Sequence, residues 1–154
     1  MKNVLYIDKP FLNEIGGDKN RSRYLYNGLI KFSNLFLCVI DCENNFHKND
    51  IKINSSKSNK FLLPMSILYF EKNEMKKLFD YIKSKNIKTL FIRTIAYTQI
   101  AIETKKMFPD IEIVIDADLI LSRLMEQSWK KKPSVKNRFY FIQMLKLKNY
   151  ESKA

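Results

Sequence analysis

The chain has 154 residues, 45% of them hydrophobic and 13% aromatic, which suits one domain with its own core and excludes a disordered chain. Three glycines and four prolines exclude a fibrous or loop-dominated chain. A net charge of +12 points towards phosphates, whether in nucleic acid, anionic lipid or a sugar nucleotide, against the plainer account of a lysine-rich solvated surface.

Taken in order, short apolar runs alternate with helical periodicity. Asn3–Ile7 reads as a buried strand. Asp18–Phe32 reads as a helix with Leu25, Leu29 and Phe32 on one face and Asp18 as its N-cap. Leu35–Ile40 is the second strand. Residues 43–59 are mostly polar loop, with Ile51 and Ile53 suited to a short edge strand, and Lys60–Leu63 reads as a third strand. Asn73–Lys85 is an amphipathic helix carrying Met75, Leu78, Phe79 and Ile82 on one side, ended by Asn86. Thr89–Ile92 is the fourth strand, Tyr97–Phe108 a helix stopped by Pro109, and Ile111–Ile115 the fifth strand. Leu119–Trp129 reads helical, and Val135–Ser152 is a last helix with an apolar face of Phe139, Tyr140, Ile142, Met144 and Leu147.

This alternation predicts an α/β fold, a Rossmann-like parallel sheet of about five strands flanked by helices. Residues 1–154 read as one domain without an internal boundary or repeat. Cys38 and Cys42 lack the second Cys or His pair of a zinc site and read as reduced thiols. No run approaches the roughly 20 apolar residues of a membrane span, and MKNVLYIDKP lacks a signal peptide's apolar stretch, so a cytoplasmic protein is expected.

Open parallel sheets bind ligands beyond the carboxyl ends of their strands. That rule selects the loop from Asp8 to Gly17, then Arg93 and Thr94, then Asp116 to Asp118. Gly16 and Gly17 precede a helix, where free N–H groups and the helix dipole suit a phosphate. The motif is neither G-x-G-x-x-G nor a P-loop, and a ligand-free Gly-Gly turn explains it equally well. Asp116 and Asp118 share a side if extended, so they could hold a metal or divide acid and base roles. One helix N-cap and one solvated carboxylate is the simpler account. His47, the single histidine, lies in the polar loop, and no G-x-S-x-G elbow accompanies it.

The run GGDKNRSRYLYNGL, Gly16 to Leu29, is similar to the opening of a group of bacterial GT-B sugar transferases. Their Gly-Gly or Gly-Asp turn is followed by Lys, an Arg-Ser pair (here Arg21-Ser22) and a leucine-rich helix. IVIDADLILS, Ile113 to Ser122, with Trp129 nearby, resembles their Asp-rich turn after the fifth strand, and Arg138 with Tyr150-Glu151 resembles a later helix. Ala117 stands where these transferases often carry histidine, and Gln143 where glutamate is usual.

The resemblance implies the N-terminal, acceptor-side half of a glycosyltransferase using a nucleotide-diphosphate sugar, with no cofactor and usually no metal. Its partners would be a glycan or lipid-linked sugar acceptor and a C-terminal donor-binding domain lying beyond Ala154. Gly16, Gly17, Lys19, Arg21 and Arg93 would meet donor phosphate or acceptor, and Asp116 or Asp118 an acceptor hydroxyl. The basic surface would touch anionic membrane peripherally. The alternative is a basic α/β domain binding nucleic acid or another polyanion, although the lysines are scattered and no RNP-type motif appears. A receiver-like domain ranks last: position 64 is Pro where the phosphorylatable Asp would stand, and no lysine follows the fifth strand.

Overall fold

The computed structural model describes residues 1–11, 17–42, 50–56, 67–116, 122–123, 126–127, 130 and 138–151. Its centre is a five-stranded, all-parallel sheet. The strands are β1 (Lys2–Asp8), β2 (Ser33–Ile40), β3 (Ile51–Ile53), β4 (Thr89–Ile92) and β5 (Glu112–Ile115), in the spatial order β3-β2-β1-β4-β5. The chain runs outwards from β1 to β3 and then returns to the other side of β1. The strand order therefore reverses between β1 and β4, the position where such sheets open a crevice.

Alternation along the strands assigns the helices to faces. Tyr6, Leu37 and Val39 pack with Leu25 and Leu29 of α1 (Gly17–Ile30). Leu5, Ile7, Cys38 and Ile40 share the other core with Met75, Leu78 and Ile82 of α2 (Lys72–Ser84) and Ile100 and Ala101 of α3 (Thr98–Met107). Each fully buried Leu or Ile contributes about 1.5–3 kcal/mol relative to exposure. Covered on both faces, β1 is buried from Val4 to Asp8, whereas the edge strand β5 alternates exposed and half-buried positions.

The C-terminus of α2 follows from one residue. Asn86 takes a positive φ of 47°, its amide donates to Lys83 O (3.1 Å), and the Ile87 amide donates to Ile82 O (3.0 Å). This is a Schellman closure with asparagine in the left-handed position, and its apolar partners Ile82 and Ile87 both lie in the core. Before α3, the Thr94 hydroxyl accepts from the Ala96 amide and caps a 3₁₀ turn at Ile95–Tyr97.

Several expectations change. α1 begins at Gly17 and ends at Ile30, so Asp18 falls inside the first turn, not at the N-cap position. Phe32 falls past the helix and is 81% exposed, because the chain has already turned into β2. The short β3 at Ile51–Ile53 is the sheet's third strand, while the segment expected at Lys60–Leu63 lies outside the described residues. Among its described side chains, the last helix, α4 (Arg138–Glu151), buries Gln143, Met144 and Leu147 and leaves Phe141, Ile142 and Leu145 outward, so Ile142, expected on the apolar face, lies away from the core. Of the Leu119–Trp129 segment, the described residues 122–123 and 126–127 are helical. No described helix is long and apolar enough to cross a membrane.

Candidate functional site

Three strands end in the same way: Tyr-Ile-Asp at β1, Phe-Ile-Arg at β4 and Val-Ile-Asp at β5. The register pairs Ile7 with Ile92 and Ile92 with Ile115. The ladder continues one step further, with the Arg93 amide donating to Ile7 O (3.1 Å) and the Asp116 amide donating to Ile92 O (2.8 Å). Asp8, Arg93 and Asp116 therefore form a row across three adjacent strand ends. Their isoleucine neighbours face α2 and α3, so the row faces α1.

Helix α1 completes the network. Arg93 is 3% exposed; its Nε donates to Ser22 Oγ (3.2 Å), and its guanidinium contacts Asp116 Oδ2 (3.1 Å). The other oxygen of Asp116, whose side chain is 15% exposed, accepts from Arg21 (2.6 Å). Arg21 is about half exposed and bridges this row to solvent. Asp8 accepts from the Lys9 amide (2.7 Å) and from the Tyr6 hydroxyl (3.3 Å), which also reaches Ser22 O (3.4 Å). Below lies an aromatic floor in which the Tyr6 ring contacts Phe11 (5.7 Å), Tyr26 (6.0 Å) and Phe91 (5.7 Å).

The electrostatics single out Asp8. Burial raises Asp8 above the ordinary aspartate range, and hydrogen bonds from Ser22 and the Lys9 amide, with the Arg93 charge, offset only part of this. Burial, reinforced by Asp8, also pushes the Tyr6 phenol up, so it stays a donor. Asp116 meets a guanidinium at each oxygen. It is thus an anchor for Arg21 and Arg93. Asp8 is the carboxyl whose surroundings favour holding a proton.

The expected residues separate accordingly. Arg21, Arg93 and Asp116 come together. Lys19 lies on the same helix, but its ammonium bonds the Pro10 carbonyl, and Arg23 reaches Phe11 O (3.3 Å), so both stitch α1 to the loop after β1. Gly17 is the first residue of α1, and a Cβ added there meets open space. The fold does not need glycine at this position. Gly16 and Asp118, like His47, Ala117 and Trp129, lie outside the described residues. Among the described residues no cluster of three His, Cys, Asp or Glu side chains suits a metal.

In the sequence, Asp8 stands out only as the start of the loop after β1, Ser22 only as part of a motif, and Tyr6 not at all. The thrice-repeated isoleucine and charged residue at strand ends was the available signal. Comparison with protein-family models, with curated proteins and with solved structures finds no match to this chain.

Proposed function

We propose that this domain is the acceptor-side half of a GT-B-type glycosyltransferase acting on a nucleotide-diphosphate sugar. One observation carries the reading. The row Asp8, Arg93 and Asp116 crosses the point where strand order reverses, and α1 brings Gly17 and Arg21 to the same edge. A diphosphate leaving group needs cations and free N–H groups at such an edge. Arg21, half exposed, can exchange Asp116 for a phosphate oxygen while buried Arg93 holds Asp116 in place. Asp8 or Asp116 would orient the acceptor hydroxyl. The nucleotide itself would be gripped by a second Rossmann-like domain.

The experiment is a transfer assay with labelled nucleotide-diphosphate sugars and glycan or lipid-linked acceptors. Residues 1–154 alone are expected to give no turnover, and the complete product of the source gene is expected to transfer sugar, with Asp116→Asn strongly impaired. Robust turnover by residues 1–154 alone, or none by the complete product across the panel, overturns the reading. The net charge of +12 favours a second reading, a polyanion-binding domain. Tight duplex binding that weakens steeply with salt would support it.

A further inference from the structure

A separate cleft lies between α2 and α3, on the face of the sheet opposite α1. We propose that it binds a single-chain anionic amphiphile, an apolar tail ending in a phosphate or carboxylate. This goes beyond the sugar-transfer reading and does not depend on it.

The cleft encloses about 630 Å³, within the size range of small-molecule sites. Its lining is largely apolar: the half-buried Phe79 and the 53% exposed Met107 lie above the buried Phe70 and Met75. One end is built in advance. Gln99 Oε1 accepts from the Phe70 amide (2.8 Å) and its Nε2 donates to the Phe70 carbonyl (3.1 Å), so the Tyr69-Phe70 segment is tied to α3 as a wall. A tail lying along α2 from Lys72 to Lys83 has about 16 Å to fill, the length of roughly ten to twelve methylenes.

The rim supplies the charge. Lys72, Lys76 and Lys83 line the cleft from α2. Its two acids already have partners: Asp80 pairs with Lys76 (3.4 Å) and Glu103 with Lys106 (2.8 Å). Among the described residues, neither Lys72 nor Lys83 has an acid within ion-pair distance. Lys72 is also the first residue of α2, where the helix dipole favours an anion. The Lys76–Asp80 pair is exposed on both sides and weak, so Lys76 is cheaply recruited to a second anion one turn from Lys72. The head group therefore belongs at Lys72 and Lys76, with the tail running towards Phe79 and Met107. A purely apolar ligand would leave Lys72 without a counter-charge, and a bare phosphate would leave Phe79 and Met107 uncovered.

The test is a titration of the ¹⁵N-labelled chain with dodecyl phosphate below its micelle concentration. Saturable one-to-one binding is expected, with the largest shifts at Lys72, Gln99 and Met107. Lys72→Glu with Lys76→Glu should weaken it at least about tenfold, the loss expected for charge-assisted contacts. The milder pair Lys72→Gln and Lys76→Gln serves if charge reversal disturbs folding. Four results would overturn the proposal: equal affinity for dodecanol, the same shifts with inorganic phosphate alone, adsorption to anionic vesicles without saturable monomer binding, or no binding. None of these bears on sugar transfer, which is read at the opposite face and edge.

Discussion

Replacing Arg93 by methionine removes the buried group that, beside Arg21, joins β5 to α1. The variant keeps the backbone bond from residue 93 to Ile7 O, because that bond uses the amide. It loses the contact with Asp116 Oδ2 (3.1 Å) and the donor to Ser22 Oγ (3.2 Å). Breaking a buried ion pair by removing one partner costs about 3–5 kcal/mol. Here Asp116 keeps Arg21 at 2.6 Å and some solvent contact, which reduces the cost to about 2–4 kcal/mol. For a domain of this size, with a urea m-value of about 2 kcal/mol/M, the midpoint should fall by about 1–2 M. The assay is urea unfolding followed by circular dichroism on wild type, Arg93→Met, Asp116→Asn and the double variant. The cycle should return a coupling of about 1–3 kcal/mol. A loss below about 0.5 kcal/mol for Arg93→Met, or strict additivity, would refute the row as a coupled unit.

Gly17→Ala should leave stability unchanged or slightly raised, since a Cβ there meets open space, yet weaken diphosphate binding if a ligand approaches that backbone; equal affinity in both proteins would remove Gly17 from the site. For Asp8, burial raises the folded carboxyl above its unfolded value, so its favourable contribution is complete below the unfolded pKa and is lost as pH rises through the folded one. The stability of Asp8→Asn relative to wild type should therefore improve between about pH 4 and pH 7, and a flat difference in urea titrations across that range would contradict the assignment. Leu147→Ala should cost about 2–5 kcal/mol, whereas Phe32→Ser should stay within about 0.5 kcal/mol, a contrast that thermal unfolding resolves. Cys38 is fully buried and its thiol is pushed up by desolvation, so it should react with a thiol reagent only as the protein unfolds.

The fold was largely legible because parallel strands buried on both faces leave continuous apolar runs, and Thr89–Ile92 falls where the sequence places it. Asn86 was legible as a stop because its side chain tolerates the left-handed conformation a helix end requires. Phe32 was misjudged because helical periodicity carries no information about where the chain leaves the helix. The outward Ile142 was misjudged because composition does not say which part of an apolar helix meets the core. The site was half legible. Asp116, Arg21 and Arg93 could be singled out, but their mutual pairing depends on β1, β4 and β5 lying side by side. Strand order is a long-range property that spacing along one chain does not encode. Asp8 went unassigned for the same reason, since its significance comes from the Arg93 beside it.

The central claim is that the carboxyl edge of this sheet receives the diphosphate of a sugar nucleotide. The most direct measurement is a ¹⁵N titration with a nucleoside diphosphate and with pyrophosphate, in wild type and Arg21→Ala. Saturable shifts centred on Gly17, Arg21, Arg93 and Asp116, lost in the variant, are the predicted result. Shifts confined to scattered lysines, or unaltered by Arg21→Ala, would contradict it.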